Sequence, residues 1–309
     1  MRFVLRRLLS MVPALFGILV AVFVITRVLP GDPAAILAGE QADASTIERL
    51  RIEMGLDQPL ITQFFNYVLG IFRGDLGFAW HTGQPVTQDL AVRFPATIEL
   101  GTTALLIAIL VGASMPLFWL GLLVIYVFYF RLGIQPAPSG RIGSSVNPPT
   151  TITGFYLLDS VLTADWVAFG SAFSQLIWPA MVLATGGIAM ISRMTRSSTL
   201  EVLGQDYVRT AVSKGLPPMV VIGKHAFRNA SPAVVTIIGL EFGGLLGGAV
   251  LTETIFSWPG VGLYVTQSIM ATDYAPVQAF TLVTAAAYLI INLLVDLAHA
   301  GIDPRVRHA

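Results

Sequence analysis

Long apolar segments alternate with polar ones along this chain. A helix needs about 20 mostly apolar residues to cross the roughly 30 Å of hydrocarbon in a bilayer. Four segments of 15 to 22 residues come near that length: 8–29, 177–191, 232–251 and 277–297. The first follows a basic start, as a signal peptide does, but its apolar run exceeds the roughly 7–15 residues typical of a signal sequence, and no small-residue cleavage site follows it. We therefore expect a retained membrane helix over residues 1–29.

A fifth apolar region, 95–130, contains one charged residue, Glu99, in 36 residues. One helix of that length would be about 54 Å long, nearly twice the hydrocarbon core. Two helices turning at 112–116 would each be short, and their turn would contain no polar residue. We predict two helices and a missing loop between Gly112 and Ala113. The total is then six spans, an even number that places both termini on one side.

The polar segment 30–95 is too long for a turn and predicts a small helical cap on the outer membrane face. Ser45 and Glu48 fit a capping box that opens a short helix, which Gly55 can end. Pro59 can open a second helix that Gly74 closes. The later polar segments, 133–174 and 253–275, read as an irregular loop and a shorter loop on the same side.

Composition narrows the class of protein further. The 309 residues contain 18 basic and 18 acidic side chains, so only 12% are charged, and 55% are hydrophobic. A soluble domain carries about 25% charge, and a nucleic-acid binder needs a basic surplus; the composition therefore argues against both. No cysteine is present, which excludes disulfides and thiolate chemistry. The four histidines lack metal-ligand spacing, so no metal site and no catalytic residue are predicted.

The charged residues are distributed unequally between the two sides of the membrane. With the N terminus inside, 11 of the 18 basic residues fall on the inner side, where Lys and Arg collect in membrane proteins: Arg2, Arg6, Arg7, Arg193, Arg196, Arg209, Lys214, Lys224, Arg228, Arg305 and Arg307. Most acidic residues fall outside. Both termini are predicted to be cytoplasmic.

The inner segment 193–231 carries the main candidate site. Asp206 can cap a helix over 207–214, Gly215 can end it, and Pro217 and Pro218 turn the chain into a second helix. A basic two-helix element exposed on the cytoplasmic side suits docking of a soluble partner. The alternative is a solvated helical hairpin with no such role.

Several motifs resemble one family in order along the chain. The run DYVRTAVSKGL, 206–216, looks like the EAA loop of ABC importer permeases, and its wording is that of the dipeptide, oligopeptide and nickel permeases. Four further pieces agree: LPGDP at 29–33, GDLG at 74–77, TETIFSWPGVG at 252–262 and DPRVR at 303–307. Together they are similar to the B-type permease subunit of that family. Two features depart from it: the cytoplasmic loop missing at Gly112–Ala113, and RNASP at 228–232, which is one residue shorter than the family's ending.

The resemblance implies an all-α membrane permease of the type I ABC importer kind, a single domain over 1–309 with a permease core at 96–309. It would form half of a pathway for peptides in a prokaryotic inner membrane. Its partners would be a homologous second permease, two ATP-binding subunits that carry ATP and Mg²⁺, and an extracytoplasmic binding protein. The chain itself has no phosphate-binding loop. The residues implied to couple it to the ATPases are Asp206, Tyr207, Arg209, Thr210, Ala211, Lys214 and Gly215.

Three further groups of residues are candidates within or near the spans. Glu241 is an ionisable residue in a span, for which a pathway role and a structural hydrogen bond remain equally open. The pairs Gly243/Gly247 and Gly244/Gly248 have small-xxx-small spacing and predict helix packing, with a gating hinge as the alternative. Trp258 and Gly260 match the family's outer motif, which favours a position near the pathway, as an outer gate or re-entrant turn, over the alternative of a plain loop.

Two other classes of function make different demands on the sequence than a permease does. A secondary transporter or channel driven by an ion gradient would want inverted repeats or paired broken helices, and no internal repeat is evident in the sequence. An intramembrane enzyme would need a catalytic pair or metal cluster inside the spans, which the sequence does not offer. The substrate, whether dipeptide, longer peptide, nickel complex or another solute, does not follow from one half of a channel.

Overall fold

The computed structural model describes residues 2–28, 33–38, 42–110 and 117–302. These residues are mostly helical, with one short antiparallel hairpin in which Phe78 pairs with Pro85. The elements in chain order are α1 Arg2–Val28, α2 Pro33–Ala38, α3 Ala44–Glu53, α4 Leu60–Phe72, β1 Phe78–Ala79, β2 Gln84–Pro85, α5 Val86–Leu110, α6 Leu117–Val124, a π-helical segment Ile125–Arg131, α7 Tyr156–Leu162, α8 Trp166–Leu203, α9 Asp206–Ser213, α10 Pro218–Val220, a second π-helical segment Val221–Phe227, α11 Arg228–Ile255, α12 Val261–Met270 and α13 Tyr274–Ile302.

Four helices of the described residues are long and apolar enough to cross a membrane: Arg7–Arg27, Val86–Ile107, Trp166–Leu203 and Tyr274–Ile302. A fifth span arises if the pair Pro218–Leu245 and Ala249–Ile255, bent by 46°, is counted as one. The helix Leu120–Arg131 is apolar but shorter. The chain is therefore an all-α, multi-pass membrane protein, and the six-span count stays a prediction. The predicted turn at 112–116 and the Gly112–Ala113 junction lie outside the described residues.

The core is a bundle of α5, α8 and α11. Leu100, Leu176, Leu183 and Leu245 are buried there. Alanines on all three helices alternate with these leucines, which lets the helices approach closely because an alanine occupies so little interhelical space; they are Ala96, Ala104, Ala180, Ala184 and Ala249. The bundle fixes the relative positions of its two ends, which we call the cap end (α3, α4 and the hairpin) and the α9 end.

The cap forms as predicted, with two corrections. Asp43, rather than Ser45, caps α3, because its side chain accepts the hydrogen bond from the Thr46 N–H at 3.1 Å. Gly55 and Gly74 end α3 and α4 with positive φ angles of 66° and 79°. The second correction concerns the segment 30–95, which ends earlier than predicted, since α5 already begins at Val86.

Helix α8 is the largest difference from the sequence prediction. It has 38 residues, about 57 Å at 1.5 Å per residue, whereas the predicted span covered 177–191. Polar residues end a membrane span but do not end a helix, so α8 continues through 193–203 until Gly204. The predicted loop 193–231 is therefore helical at both ends, and the predicted irregular loop 133–174 is helical from Tyr156 except between α7 and α8.

Candidate functional site

The segment after α8 folds into a compact element at the α9 end. Gly204 closes α8, α9 follows after Gln205, and Gly215 ends α9 with a φ of 74°. Such a left-handed backbone suits glycine because it lacks a Cβ. Pro217 then precedes α10, which leads through the second π-helical segment into α11. We call residues 204–222 the coupling element, after the role that the resemblance implies.

The coupling element has an inner face that holds it to the bundle. Val208 and Ala211 are buried against Val221, and Val202 and Leu203 at the end of α8 pack on the same cluster. Ala211, one of the residues implied to couple the chain to the ATPases, is therefore packed within this chain. Val221 begins the second π-helical segment, which continues into α11, so the cluster links α9 directly to the end of α8 and, through that segment, to α11.

The outer face of the coupling element is open. Its charged residues are exposed, and the Asp206 and Arg209 side chains lie 3.7 Å apart with 98% and 75% of their surface accessible. Asp206 begins α9 rather than capping it, since Gln205 holds the cap position. Thr210 and Lys214 are exposed as well. Apolar side chains share this exposure: Tyr207, Val212, Leu216, Met219, Val220 and Ile222.

Helix α11 presents a second open face. Leu240, Gly244, Gly247 and Leu251 are all exposed and recur at spacings of four, three and four, so they line one side of the helix. A Cβ added at Gly244 or Gly247 would meet nothing within 4 Å in this chain. Glu241 borders the face, is half-buried, and makes no hydrogen bond or ion pair with the other described residues.

The close packing predicted for this glycine-rich helix occurs one turn earlier. A Cβ at Gly243 would lie 2.5 Å from the Tyr288 ring of α13, and one at Gly239 would overlap Val295. The pair in contact is thus Gly239/Gly243, with the small-xxx-small spacing that brings two backbones together. Gly244 and Gly247 stay open, and the surroundings of Gly248 lie outside the description.

Trp258 and Gly260 lie inside the chain at the cap end. Trp258 is 1% exposed, packs in the core cluster and donates from Nε1 to the Ala96 carbonyl at 3.0 Å. A Cβ at Gly260 would overlap both the Glu253 carboxylate and the Thr97 hydroxyl. These two residues therefore form part of the packed wall in this conformation and are not open to a solute.

Two polar networks that the sequence analysis missed close the cap end. In the first, the Thr97 hydroxyl donates to the fully buried Glu253 carboxylate and accepts from the Val261 N–H at 2.9 Å, while the Leu263 N–H donates to Glu253 Oε2 at 2.9 Å. These bonds tie the start of α12 to α5 and to the end of α11.

The second network is a buried ion pair. Arg141, in the loop before α7, donates to Glu99 at 2.6 Å, and its guanidinium lies 3.8 Å from the centre of the Tyr156 ring. The Leu157 N–H donates to the other oxygen of Glu99 at 2.9 Å. Glu99 therefore pins the loop to α5. A lone carboxylate in an apolar run was the sequence feature that pointed to a buried partner.

The described residues offer no group of three His, Cys, Asp or Glu side chains placed to hold a metal ion. The features that the structure does bring together are the open coupling element at one end, the open face of α11 in the middle and the tightly bonded cap end. An arrangement of this kind can transmit motion along α8 and α11, and it leaves two surfaces without partners in this chain.

Comparison with known protein families accounts for the whole chain. The family described as "Binding-protein-dependent transport system inner membrane component" matches residues 100–308, and the N-terminal domain of the same family matches residues 1–101.

Individual relatives match over nearly their full length. The probable D,D-dipeptide transport system permease protein of Escherichia coli K12 is 42% identical over 97% of this chain and 96% of its own. The dipeptide transport system permease protein of the same strain is 40% identical over 100% and 99%. A glutathione transport system permease protein of E. coli O6:H1 is 35% identical over 100% and 99%. The dipeptide comparison spans 337 aligned positions, at least 28 more than the 309 residues here can fill.

Proposed function

Because this chain belongs to the family of inner membrane components of binding-protein-dependent transport systems, we propose that it forms half of the translocation pathway of an ATP-driven importer of short peptides. The relatives named for dipeptide transport support the substrate class. The chain is a permease subunit, and the chemistry of ATP hydrolysis, with its Mg²⁺, belongs to partner ATPases.

The open outer face of the coupling element is the observation that carries this proposal. Six apolar side chains on a short element are exposed there beside Asp206, Arg209 and Lys214. A mixed patch of this kind at the end of a membrane bundle suits docking of a soluble protein. The inner face packs on the end of α8 and on the second π-helical segment, which leads into α11. It converts displacement of α9 into tilting of both helices, a rigid-body change between two access states.

The second permease would pack on the open face of α11. Leu240 and Leu251 flank Gly244 and Gly247, so a helix of a homologous subunit can approach the backbone closely there. Glu241 would then border the space between the two subunits. This placement favours a pathway role for Glu241 over a hydrogen bond within the chain. Trp258 and Gly260 act behind that space by holding together the packed wall at the cap end.

The orientation follows from the same assignment. If ATPases dock on the coupling element, the α9 end is cytoplasmic, the cap end faces outward, and an extracytoplasmic binding protein delivers the peptide at the cap end. Both termini are then cytoplasmic, in agreement with the distribution of basic residues. The membrane would be the inner membrane of a prokaryote.

Reconstitution tests the proposal against a gradient-driven carrier. The chain, its second permease, the ATPases and the binding protein are placed in proteoliposomes, and uptake of a labelled dipeptide is measured with ATP and with imposed proton or sodium gradients. We expect uptake that requires ATP and the binding protein. Uptake driven by an ion gradient without ATP would instead establish the secondary-transporter alternative.

A further inference from the structure

A cavity of about 660 Å³ lies at the cap end, away from the coupling element and from the open face of α11. Three parts of the chain form its wall: the end of α1 with Arg27, the cap between Glu53 and His81, and the α12–α13 loop with the first turns of α13. Its size suits a small organic molecule.

Acidic side chains dominate the charged groups of the wall. Glu53, Asp75 and Asp273 line the cavity against the single guanidinium of Arg27, with His81 beside Asp273. Opposite charges attract ligands into such a concave site, where the low-dielectric walls strengthen the field. The wall therefore favours a ligand with a positively charged group.

Asp273 is the residue that points to a missing ligand. It is 4% exposed, and its Oδ2 accepts hydrogen bonds from the His81 N–H at 3.1 Å and from His81 Nδ1 at 3.0 Å. Its Oδ1 is buried and has no hydrogen-bond partner. A buried carboxylate oxygen without a partner is costly, and native structures nearly always satisfy it. The other polar groups around His81 do not satisfy Oδ1: Ser268 donates to the Tyr264 carbonyl and lies 3.5 Å from His81 Nε2, and the Tyr264 hydroxyl donates to Asp89.

Aromatic rings complete the wall. Phe78 and Trp80 lie 5.0 Å apart between ring centres, are 40% and 43% exposed, and border the cavity together with Tyr274. Aromatic faces beside a carboxylate form the usual environment for an organic ammonium group. A metal ion fits less well, because the described residues hold no cluster of three suitable ligands.

We propose that this cavity binds the free amino terminus of a short peptide, with the ammonium group donating to Asp273 Oδ1 and the adjoining residue against Phe78 and Trp80. The inference rests on the proposed peptide transport. A bound peptide would contact the cap and the α12–α13 loop together, so occupancy would hold the cap against the start of α13. The cavity would be an entry site on the outer side, separate from the face of α11.

The test measures peptide binding to the assembled transporter without its binding protein. The complex is placed in nanodiscs of phosphatidylcholine, whose headgroup has no primary ammonium, and saturation-transfer NMR follows dialanine and N-acetyl-dialanine. We expect dialanine to bind and the acetylated peptide to bind at least about tenfold more weakly, since acetylation removes the charge-assisted hydrogen bond. Equal binding of the two peptides would overturn the proposal.

Variants locate the site within the complex. Asp273→Asn should weaken dialanine binding at least about tenfold. Asp75→Asn should weaken it by a smaller factor; the position is exposed, and the asparagine oxygen can still accept the hydrogen bond from the Gly77 N–H. Glu48→Gln removes an acidic charge from α3 outside the cavity wall and should leave binding unchanged. If Asp273→Asn does not fold, the Asp75→Asn result decides, and unchanged binding there counts against the site.

Uptake measured in parallel separates this inference from the proposed function. ATP-driven dipeptide uptake with no binding at the cavity would refute the entry site and leave the importer assignment intact. Absence of ATP-driven uptake in the unmodified complex would refute the importer assignment itself.

Discussion

Single residues at the cap end connect distant parts of the chain. Thr97 and Glu253 are 156 positions apart, and Glu99 and Arg141 are 42 apart, yet both pairs are buried and hydrogen-bonded. Removing one member of a buried ion pair leaves the other charge uncompensated, which typically costs about 3–5 kcal/mol. These contacts therefore hold the packed wall at the cap end, including Trp258, together as one unit.

Gly260 lies in the most tightly packed part of this wall. In Gly260→Ala the new Cβ would overlap Glu253 and Thr97, so we expect a loss of about 1–3 kcal/mol in stability, as for other overpacked sites, read as a lower Tm of the purified permease. Gly170→Ala is the matched control, because a Cβ there meets nothing within 4 Å. An equal Tm for both variants would mean that the wall around Gly260 yields easily.

Asp159 makes the outer loop sensitive to acid. Burial, the largest single effect, opposes ionisation of its carboxyl, but hydrogen bonds from the Thr153 hydroxyl and from backbone N–H groups outweigh it and lower the pKa. The folded pKa is thus below the unfolded value of about 3.9, so this stabilisation is present above pH 4 and is lost as the pH falls through the folded pKa.

We expect the Tm of the permease to fall between about pH 5 and pH 2 by a larger amount in the native chain than in Asp159→Asn. The asparagine cannot ionise, so its share of the pH dependence disappears. Thermal unfolding across that pH range measures the difference. Superimposable pH profiles would show that Asp159 adds nothing to acid sensitivity.

Among the elements, the coupling element combines a fixed inner face with an open outer face. Sequence reasoning located α9 and identified Gly215 as its end, because the helix period and the glycine are local features. It misassigned Asp206 as the cap, which is Gln205. It did not show that Ala211 is buried, since which face of α9 packs on Val221 depends on tertiary packing. Helix α8, 38 residues long, links this element to the cap end.

Met219 lies at the tip of the outer face, and its side chain is 83% exposed. Met219→Glu should abolish or strongly reduce co-purification with the ATPases, because a charge placed in an apolar contact must be desolvated without a partner. Met270→Glu is the matched control: Met270 is 84% exposed but lies at the cap end. Loss of ATPase in both variants, or in neither, would contradict the docking surface.

Gly215 tests coupling separately from docking. Its φ of 74° strains most side chains by about 1–2 kcal/mol, whereas asparagine tolerates this region. We expect Gly215→Val to lower dipeptide uptake per ATP hydrolysed several-fold and Gly215→Asn to retain it. Both ratios come from parallel transport and phosphate-release assays. Full coupling in the valine variant would show that the turn has no such role.

On the scale of the whole molecule, the topology remains the main prediction. Four or five helices of the described residues can span the membrane, while the sixth span depends on the region around 111–116. Relatives of this chain fill at least 28 alignment positions that it leaves empty, which agrees with a shortened loop. Where those positions fall decides whether the short apolar helix Leu120–Arg131 is part of a complete sixth span.

The absence of cysteine from the chain makes the topology directly measurable. Single variants Ser213→Cys in α9 and Ser45→Cys in α3 are exposed to a membrane-impermeant thiol reagent added to intact cells. We expect Ser45→Cys to be labelled from outside and Ser213→Cys only after the membrane is opened. The reverse pattern would mean that the orientation is inverted. Labelling of both from outside would mean that the two residues lie on the same side, with an even number of spans between them.

The sequence by itself determined that this is a helical membrane protein, where its cap and its coupling element lie along the chain, and the family. These follow from local periodicity, from glycine and proline positions and from contiguous motifs, none of which needs a distant contact. Only the tertiary structure decided that Glu253 is buried against Thr97 and that Glu99 is buried against Arg141. It also decided that Trp258 is packed inside and that Gly239, rather than Gly247, pairs with Gly243. The physical reason is that burial and pairing depend on residues far apart in the chain, whose approach is set by helix packing and not by their own neighbours.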